Sequence, residues 1–279
     1  MEIFKEIEPL KAFLRQEKID AHSVGFVPTM GALHQGHLSL IKASMLENAC
    51  TVCSIYVNPT QFNNPADLAK YPRTLDQDID LLRKTGCDVI FCPDNNVMYA
   101  SESQIKFDFG TLDKVMEGGY RPGHFSGVAL IVSKLFHIVA PERAYFGQKD
   151  FQQFKIIEKL VDELKFDISL RCMPIEREPD GLEMSSRNAR LSAEQRKKAA
   201  IFYESLREAR ELLKKGNSMK EVQRVIKSKC ENSHVQLEYL ELADESNLTL
   251  LENVSDKNNA ILLIAGYVGE VRLIDNILL

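Results

Sequence analysis

From residue 23 to residue 173, short apolar runs alternate with longer stretches in which apolar residues recur every three or four positions. A period of two marks strands and a period of 3.6 marks helices. Such alternation confines a chain to βαβ units around a parallel sheet with helices on both faces. Strands are expected at 23–28, 50–57, 88–92, 143–146 and 167–173, and helices at 3–18, 36–48, 76–84, 128–139 and 151–164. The expected class is α/β, a Rossmann-like doubly wound parallel sheet. The pattern changes near residue 175. A charged amphipathic helix at 192–215 opens on Ser192 as N-cap with Gln195 three residues on. A helix at 219–230 and alternating strands at 235–243, 260–267 and 271–279 follow, with Gly269 turning the last hairpin. Residues 1–175 are expected to form the Rossmann-like domain, and 176–279 a smaller α+β domain acting as a lid.

Composition narrows the function. With 279 residues and 44% hydrophobic content the chain can bury a sizeable core. Its net charge of −5 disfavours a broad nucleic-acid surface, which would be basic. No apolar run reaches the roughly 20 residues that span a bilayer, and the N-terminus lacks a signal-peptide pattern. The expected location is cytoplasmic. Cys50 and Cys53 form a C-x-x-C, but on an expected strand, where residues three apart point to opposite faces. No second C-x-x-C stands at zinc-site spacing, so reduced, mostly buried thiols are expected.

The segment F-V-P-T-M-G-A-L-H-Q-G-H-L-S-L-I at 26–41 is the most informative. It joins an apolar strand to a helix, and ligands bind at the carboxyl ends of strands in open α/β sheets. The first amides of the helix lack intrahelical partners and its dipole is positive there, which suits a phosphate. Gly31 and Gly36 allow tight turning and close approach to a ligand. His34 and His37 can donate to phosphate oxygens and become cationic as charge builds there. A metal site is disfavoured, because no adjacent acid or cysteine completes a ligand set. Local capping or packing is the bland alternative.

H-x-G-H at 34–37 resembles the signature of the nucleotidyltransferase superfamily, and P-T-M-G-A-L-H-x-G-H at 28–37 resembles the pantothenate synthetase (pantoate–β-alanine ligase) family within it. N-P-T-Q-F at 58–62, Y-P-R-T at 71–74, R-P-G-H-F-S-G-V at 121–128, F-G-Q-K-D-F-Q-Q at 146–153 and D-G-L-E-M-S-S-R-N at 180–188 fit the same family in the same order. Y-L-E-L and R-L-I-D-N near the C-terminus also match.

The resemblance implies ATP-dependent joining of pantoate to β-alanine through pantoyl adenylate, releasing pyrophosphate and then AMP. It implies catalytic roles for His34, His37, Lys149 and Arg187. It implies ATP contacts at Met30, Gly31, Ala32, Leu33, Gln35 and Gly36 around the histidines. Further contacts are implied at Gly147, Gln148, Lys149 and Asp150, at Glu176, and at Met184, Ser185, Ser186 and Arg187. Pantoate contacts are implied at Gln61 and Gln153, with Pro28 and Met30 beside them and Asn58 supporting the loop. Amide side chains both donate and accept, which suits a small hydroxy acid. Lysine supplies a point charge for phosphate, and two hydroxyls with a guanidinium match triphosphate oxygens.

ATP chemistry implies Mg²⁺ held mainly by phosphates and water. The family's acidic stretch falls at Asp76, Gln77 and Asp78, and the neutral Gln77 leaves Asp78 as a candidate acting through water. Glu176 departs from an often apolar position, where its backbone would serve. E-G-G-Y-R-P-G-H-F at 117–125 reads as a mobile loop whose Arg121 and His124 either meet substrate or hold the loop. The family is usually dimeric, and 49–57 is the apolar strand that would pair if it lay at an edge. Two other readings stand beside this one: a nucleotidyltransferase of different acceptor, and a non-catalytic ATP- or RNA-binding module.

Overall fold

Residues 3–18 were expected to form one helix, but the chain begins with a strand. Glu2–Phe4 (β1) precedes the helix Ile7–Ile19 (α1). Ile3 falls four residues before Ile7 and so mimics the spacing of Ile7, Leu10 and Leu14, while three residues are too few to show a period of two. The chain continues through Val24–Thr29 (β2), Gln35–Glu47 (α2), Cys50–Ile55 (β3), Pro65–Lys70 (α3), Leu75–Thr85 (α4), Val89–Phe91 (β4), Asn95–Met98 (α5), Met116–Tyr120 (α6), His124–Val139 (α7), Arg143–Gly147 (β5), Phe151–Leu164 (α8) and Ser169–Met173 (β6). Ala193–Ala199 (α9), Ile201–Lys214 (α10), Met219–Asn232 (α11), Gln236–Asp244 (β7), Ala260–Val268 (β8) and Val271–Leu278 (β9) complete it. The computed structural model describes residues 1–254 and 259–279.

Two compact units emerge, Met1–Gly147 with Ile156–Pro174, and Gln148–Lys155 with Ile175–Leu279. The first holds a six-stranded parallel sheet in the order β1-β4-β3-β2-β5-β6. Every residue of β3 is buried, as a parallel strand covered on both faces requires. Val27, Ile41, Cys53, Leu82 and Ile90 are wholly buried in one core cluster of this unit. β3 pairs with β2 and β4 on its two sides, so 49–57 is interior and has no free edge for a partner. Cys50 and Cys53 are unpaired thiols on β3, and burial pushes the Cys50 thiol up to about 12.

The second unit holds an antiparallel sheet in the order β7-β8-β9 over α10 and α11. Phe202, Leu206, Val222, Ile226, Leu262 and Ile264 anchor its core. Gly269, at φ +61°, makes the expected β8–β9 turn. The single helix expected at 192–215 breaks at Ala200 into α9 and α10. Ser192 and Gln195 do form the expected reciprocal cap. No helix among the described residues is long and apolar enough to cross a membrane.

Candidate active site

The loop after β2 turns on two successive left-handed residues, Gly31 at φ +80° and Ala32 at φ +50°. An alanine held there costs roughly 1–2 kcal/mol, so something must hold it. Asp78 of α4 does so. The Ala32 N–H donates to Asp78 Oδ2 at 2.9 Å and the Leu33 N–H to Oδ1 at 2.8 Å. The Thr74 hydroxyl also donates to Oδ2, at 3.2 Å. A Cβ at Gly31 would stand 3.0 Å from that carboxylate and 3.1 Å from Ile55, so glycine is needed for space as well as for φ.

This bend delivers the chain to the start of α2. His34 is the N-cap residue, and its N–H donates to His37 Nδ1 at 3.3 Å. The two rings lie 4.1 Å apart between centroids. A neutral His37 that accepts at Nδ1 carries its proton on Nε2, which is then a donor. The first turn of α2 contains no acid, so no carboxylate of that turn opposes an anion at the positive end of the helix.

Gln61 closes a single 3₁₀ turn, Pro59–Gln61, beyond β3. Asn58, only 1% exposed, donates to Gln61 Oε1 at 3.1 Å and to the Gly127 carbonyl at 3.2 Å. Its Oδ1 accepts from Thr60 and Tyr99 hydroxyls. Asn58 is thus spent on support, and Gln61 is left presenting its NH₂, which meets Met30 Sδ at 3.1 Å. Thioether sulfur is a weak acceptor, so a ligand oxygen would displace it readily. His124 completes the frame. Its Nδ1 donates to the Gln61 carbonyl at 2.8 Å, which leaves Nε2 to accept from Arg121 Nη1 at 3.4 Å. The segment 117–125 is therefore mostly helical, the end of α6 and the start of α7 joined by a short turn at 121–123, with His124 buried. Holding Gln61, rather than tethering a mobile loop, is what His124 does here.

Strand order reverses between β2 and β5, the switch point at which open α/β sheets bind ligands. The β2–β5 pairing covers only Gly25 and Phe26, so the strands have parted before Pro28 and Met30. The histidine loop leaves from the carboxyl end of β2, and the chain leaves β5 at Gly147 into Gln148, Lys149 and Asp150.

In the second unit, Lys149 is mostly covered and its Nζ lies 3.4 Å from Asp150 Oδ1. Met184 N–H donates to the Glu176 carbonyl at 3.0 Å, and Arg177 and Glu183 form an antiparallel bridge. This small ladder runs into Ser185, whose Oγ accepts from the Arg187 N–H at 3.3 Å and caps the 3₁₀ turn Ser186–Arg190. The Glu176 side chain is exposed, and its backbone is what the ladder uses. Glu183 is wholly buried, and neither of its carboxylate oxygens has a hydrogen-bond partner. Burial first, and the neighbouring Asp275 second, push its carboxyl up to about 8, while Lys149 and Arg177 pull it down.

A profile of the pantoate-beta-alanine ligase family matches residues 2–278. The chain belongs to that family. It is 46% identical over 275 residues to the pantothenate synthetase of Cytophaga hutchinsonii, covering 98% of this chain and 97% of that one. The Thermosipho africanus pantothenate synthetase is 43% identical, with each chain covered in full. Among solved structures, pantothenate synthetase from Thermus thermophilus superposes with a TM-score of 0.91 at 39% identity, over 99% of both chains. The Francisella tularensis pantoate-beta-alanine ligase, complexed with beta-gamma ATP and beta-alanine, gives 0.85 at 35% identity over 100% of this chain and 97% of that one.

Members of the pantoate–β-alanine ligase family are ligases, and in this member the residues singled out from sequence fall into two groups. Pro28, Met30, Gly31, Ala32, Leu33, His34, Gln35, Gly36, His37, Asn58, Gln61, Asp78 and Gly147 belong to the first unit. Gln148, Lys149, Asp150, Gln153, Glu176, Met184, Ser185, Ser186 and Arg187 belong to the second. Sequence reasoning missed the grip of Asp78 on the histidine loop and of His124 on Gln61. Both partners lie more than forty residues away, and no local pattern announces them.

Proposed function

We propose that this chain carries out ATP-dependent condensation of pantoate with β-alanine, the reaction of its family, through a pantoyl adenylate. A pantoate carboxylate oxygen attacks the α-phosphorus of ATP, and the bond to the bridging oxygen breaks to release pyrophosphate. The β-alanine amine then attacks the acyl carbon, loses a proton and expels AMP. His37, donating from Nε2, and His34 stabilise charge on the phosphate oxygens as it develops. Lys149, Ser185, Ser186 and Arg187 neutralise the rest of the triphosphate. Gln61 and Gln153 hold pantoate, and holding both reactants in line supplies much of the rate. The 176–279 region would act as the lid that its sequence character suggests.

Mg²⁺ would supply charge neutralisation on the phosphates. Among the described residues no group of three acids, histidines or cysteines could hold a metal. Such an ion would be carried by phosphates and water, with Asp78 reaching it only through water because its oxygens already serve the loop. ATP use and the buried thiols of Cys50, Cys53, Cys87, Cys92 and Cys230 support action in the cytoplasm. Family habit supports a homodimer; in the six-stranded sheet β1 and β6 are the edge strands.

The observation that carries the reading is the His34–His37 pair at the start of α2, reached through a loop whose Met30 Sδ takes the Gln61 NH₂. The test is pyrophosphate exchange into ATP with D-pantoate and Mg²⁺ present and β-alanine absent. Exchange that requires pantoate and falls on the order of 10²–10³-fold in His37→Ala is expected. Folded protein that exchanges equally well without pantoate would refute it.

A further inference from the structure

The R-L-I-D-N segment of β9 takes no part in the reaction as described, yet it ends in two nearly inaccessible polar residues, Asp275 at 2% and Asn276 at 1% exposure. Their hydrogen bonds have a pattern. Asn276 Nδ2 donates to the Gln148 carbonyl at 2.9 Å and to the Lys149 carbonyl at 3.0 Å. Its Oδ1 accepts from Gln148 Nε2 at 3.0 Å. One amide thus clamps two consecutive carbonyls of the turn that carries Lys149, and a side chain from that turn orients the amide in return. Asp275 acts on the other arm. Arg177 Nη1 donates to Asp275 Oδ2 at 2.7 Å and Nη2 to Oδ1 at 2.9 Å, a bidentate pair. The same guanidinium donates to the Asn276 carbonyl at 3.2 Å and the Gly181 carbonyl at 2.9 Å, and stacks on Tyr203 at 3.9 Å. Arg177 opens the ladder that leads to Ser185, Ser186 and Arg187.

We infer that Asp275 and Asn276 are positioning residues for adenylation: Asn276 sets the Lys149 turn and Asp275, through Arg177, sets the serine–arginine turn. This rests on the phosphate roles given above to those two turns. The chemistry selects the residue types. Only an amide at 276 both donates twice and accepts once, and an aspartate there would face two carbonyls with no donor. A planar guanidinium needs a carboxylate opposite to be held in one orientation. Both residues extend from one strand, so the two turns share one origin. Displacement of about 1 Å costs a reacting geometry roughly a hundredfold.

The inference separates the two half-reactions. Adenylation needs the triphosphate held, whereas aminolysis of preformed pantoyl adenylate has no triphosphate to hold. Asn276→Ala should lower pantoate-dependent pyrophosphate exchange by roughly 30- to 100-fold in kcat. Pantothenate formation from supplied pantoyl adenylate and β-alanine should stay within about threefold, since that step has no β- or γ-phosphate for Lys149 to hold. Because Asn276 acts through Lys149, adding Asn276→Ala to Lys149→Ala should cost little more than Lys149→Ala alone. Parallel loss of both half-reactions, or additive effects in the double variant, would overturn the inference in favour of plain structural damage. Lys149→Ala also tests the underlying reading. If it leaves exchange intact, the phosphate role of Lys149 is wrong; if it abolishes exchange while Asn276→Ala does not, only the positioning role fails. Should Asn276→Ala not fold, Asn276→Ser fills more of the slot, and the same split between half-reactions is expected of it.

Discussion

Asp78 shows how much one buried side chain can fix. Two main-chain N–H groups in an unfavourable bend both end on its carboxylate. In Asp78→Asn one amide oxygen can still accept, but the NH₂ would face the other N–H, donor against donor. The variant should lose on the order of 1–3 kcal/mol in urea unfolding, and pyrophosphate exchange should fall with it as the histidine loop loosens. Unchanged exchange would mean that the bend is held without Asp78. Gln61→Ala makes a different demand. It removes the NH₂ that rests on Met30, so KM for pantoate should rise by roughly tenfold or more, the worth of a hydrogen bond to a charged group, with KM for ATP little changed. Initial-rate kinetics with each substrate varied would distinguish a pantoate contact from a general defect.

At the scale of elements, α7 and the Pro59–Gln61 turn approach so closely that a Cβ at Gly127 would lie 2.2 Å from the Thr60 carbonyl oxygen. Gly127→Ala must push helix and turn apart, and Gln61 sits on that turn. A loss of about 1–3 kcal/mol by urea unfolding, the usual cost of overpacking, should accompany a raised KM for pantoate. Wild-type values for both would mean the contact yields without moving Gln61. The same elements show what was legible beforehand. Strands buried on both faces, such as β3, and long periodic helices, such as α8, declare themselves by apolar runs and spacing. β1 did not, because an edge strand of three residues is defined by its partner β4 and not by its own pattern. The 117–125 segment read as a loop because Gly118 and Gly119 disfavour helix locally, and tertiary contacts override that preference in α6. The break at Ala200 had no glycine or proline to mark it.

Across the whole molecule, the motif residues of the candidate site were legible because phosphate chemistry demands particular side chains at strand ends. Their supports were not, since Asp78, His124 and Asn276 act across long stretches of chain. Glu183 belongs with these, and it has a consequence for stability. Its carboxyl titrates near 8 in the folded protein, against an ordinary value of 4.5. Between those values the unfolded chain has released the proton and the folded chain keeps it. The folded state therefore binds more protons there, and stability falls as pH rises through that window, levelling once both states are ionised. Asp275 is also raised, by burial, and adds to the slope with the same sign, while its bidentate Arg177 opposes that rise. Glu183→Gln has no proton to lose. Its unfolding free energy should vary less between pH 5 and pH 8, and above that it should exceed the parent's by about 1–3 kcal/mol, the cost of a buried group left charged and unbonded. Denaturant melts at pH 5.5, 7 and 9 would measure this, and parallel curves for the two proteins would show that Glu183 is already ionised in the native state.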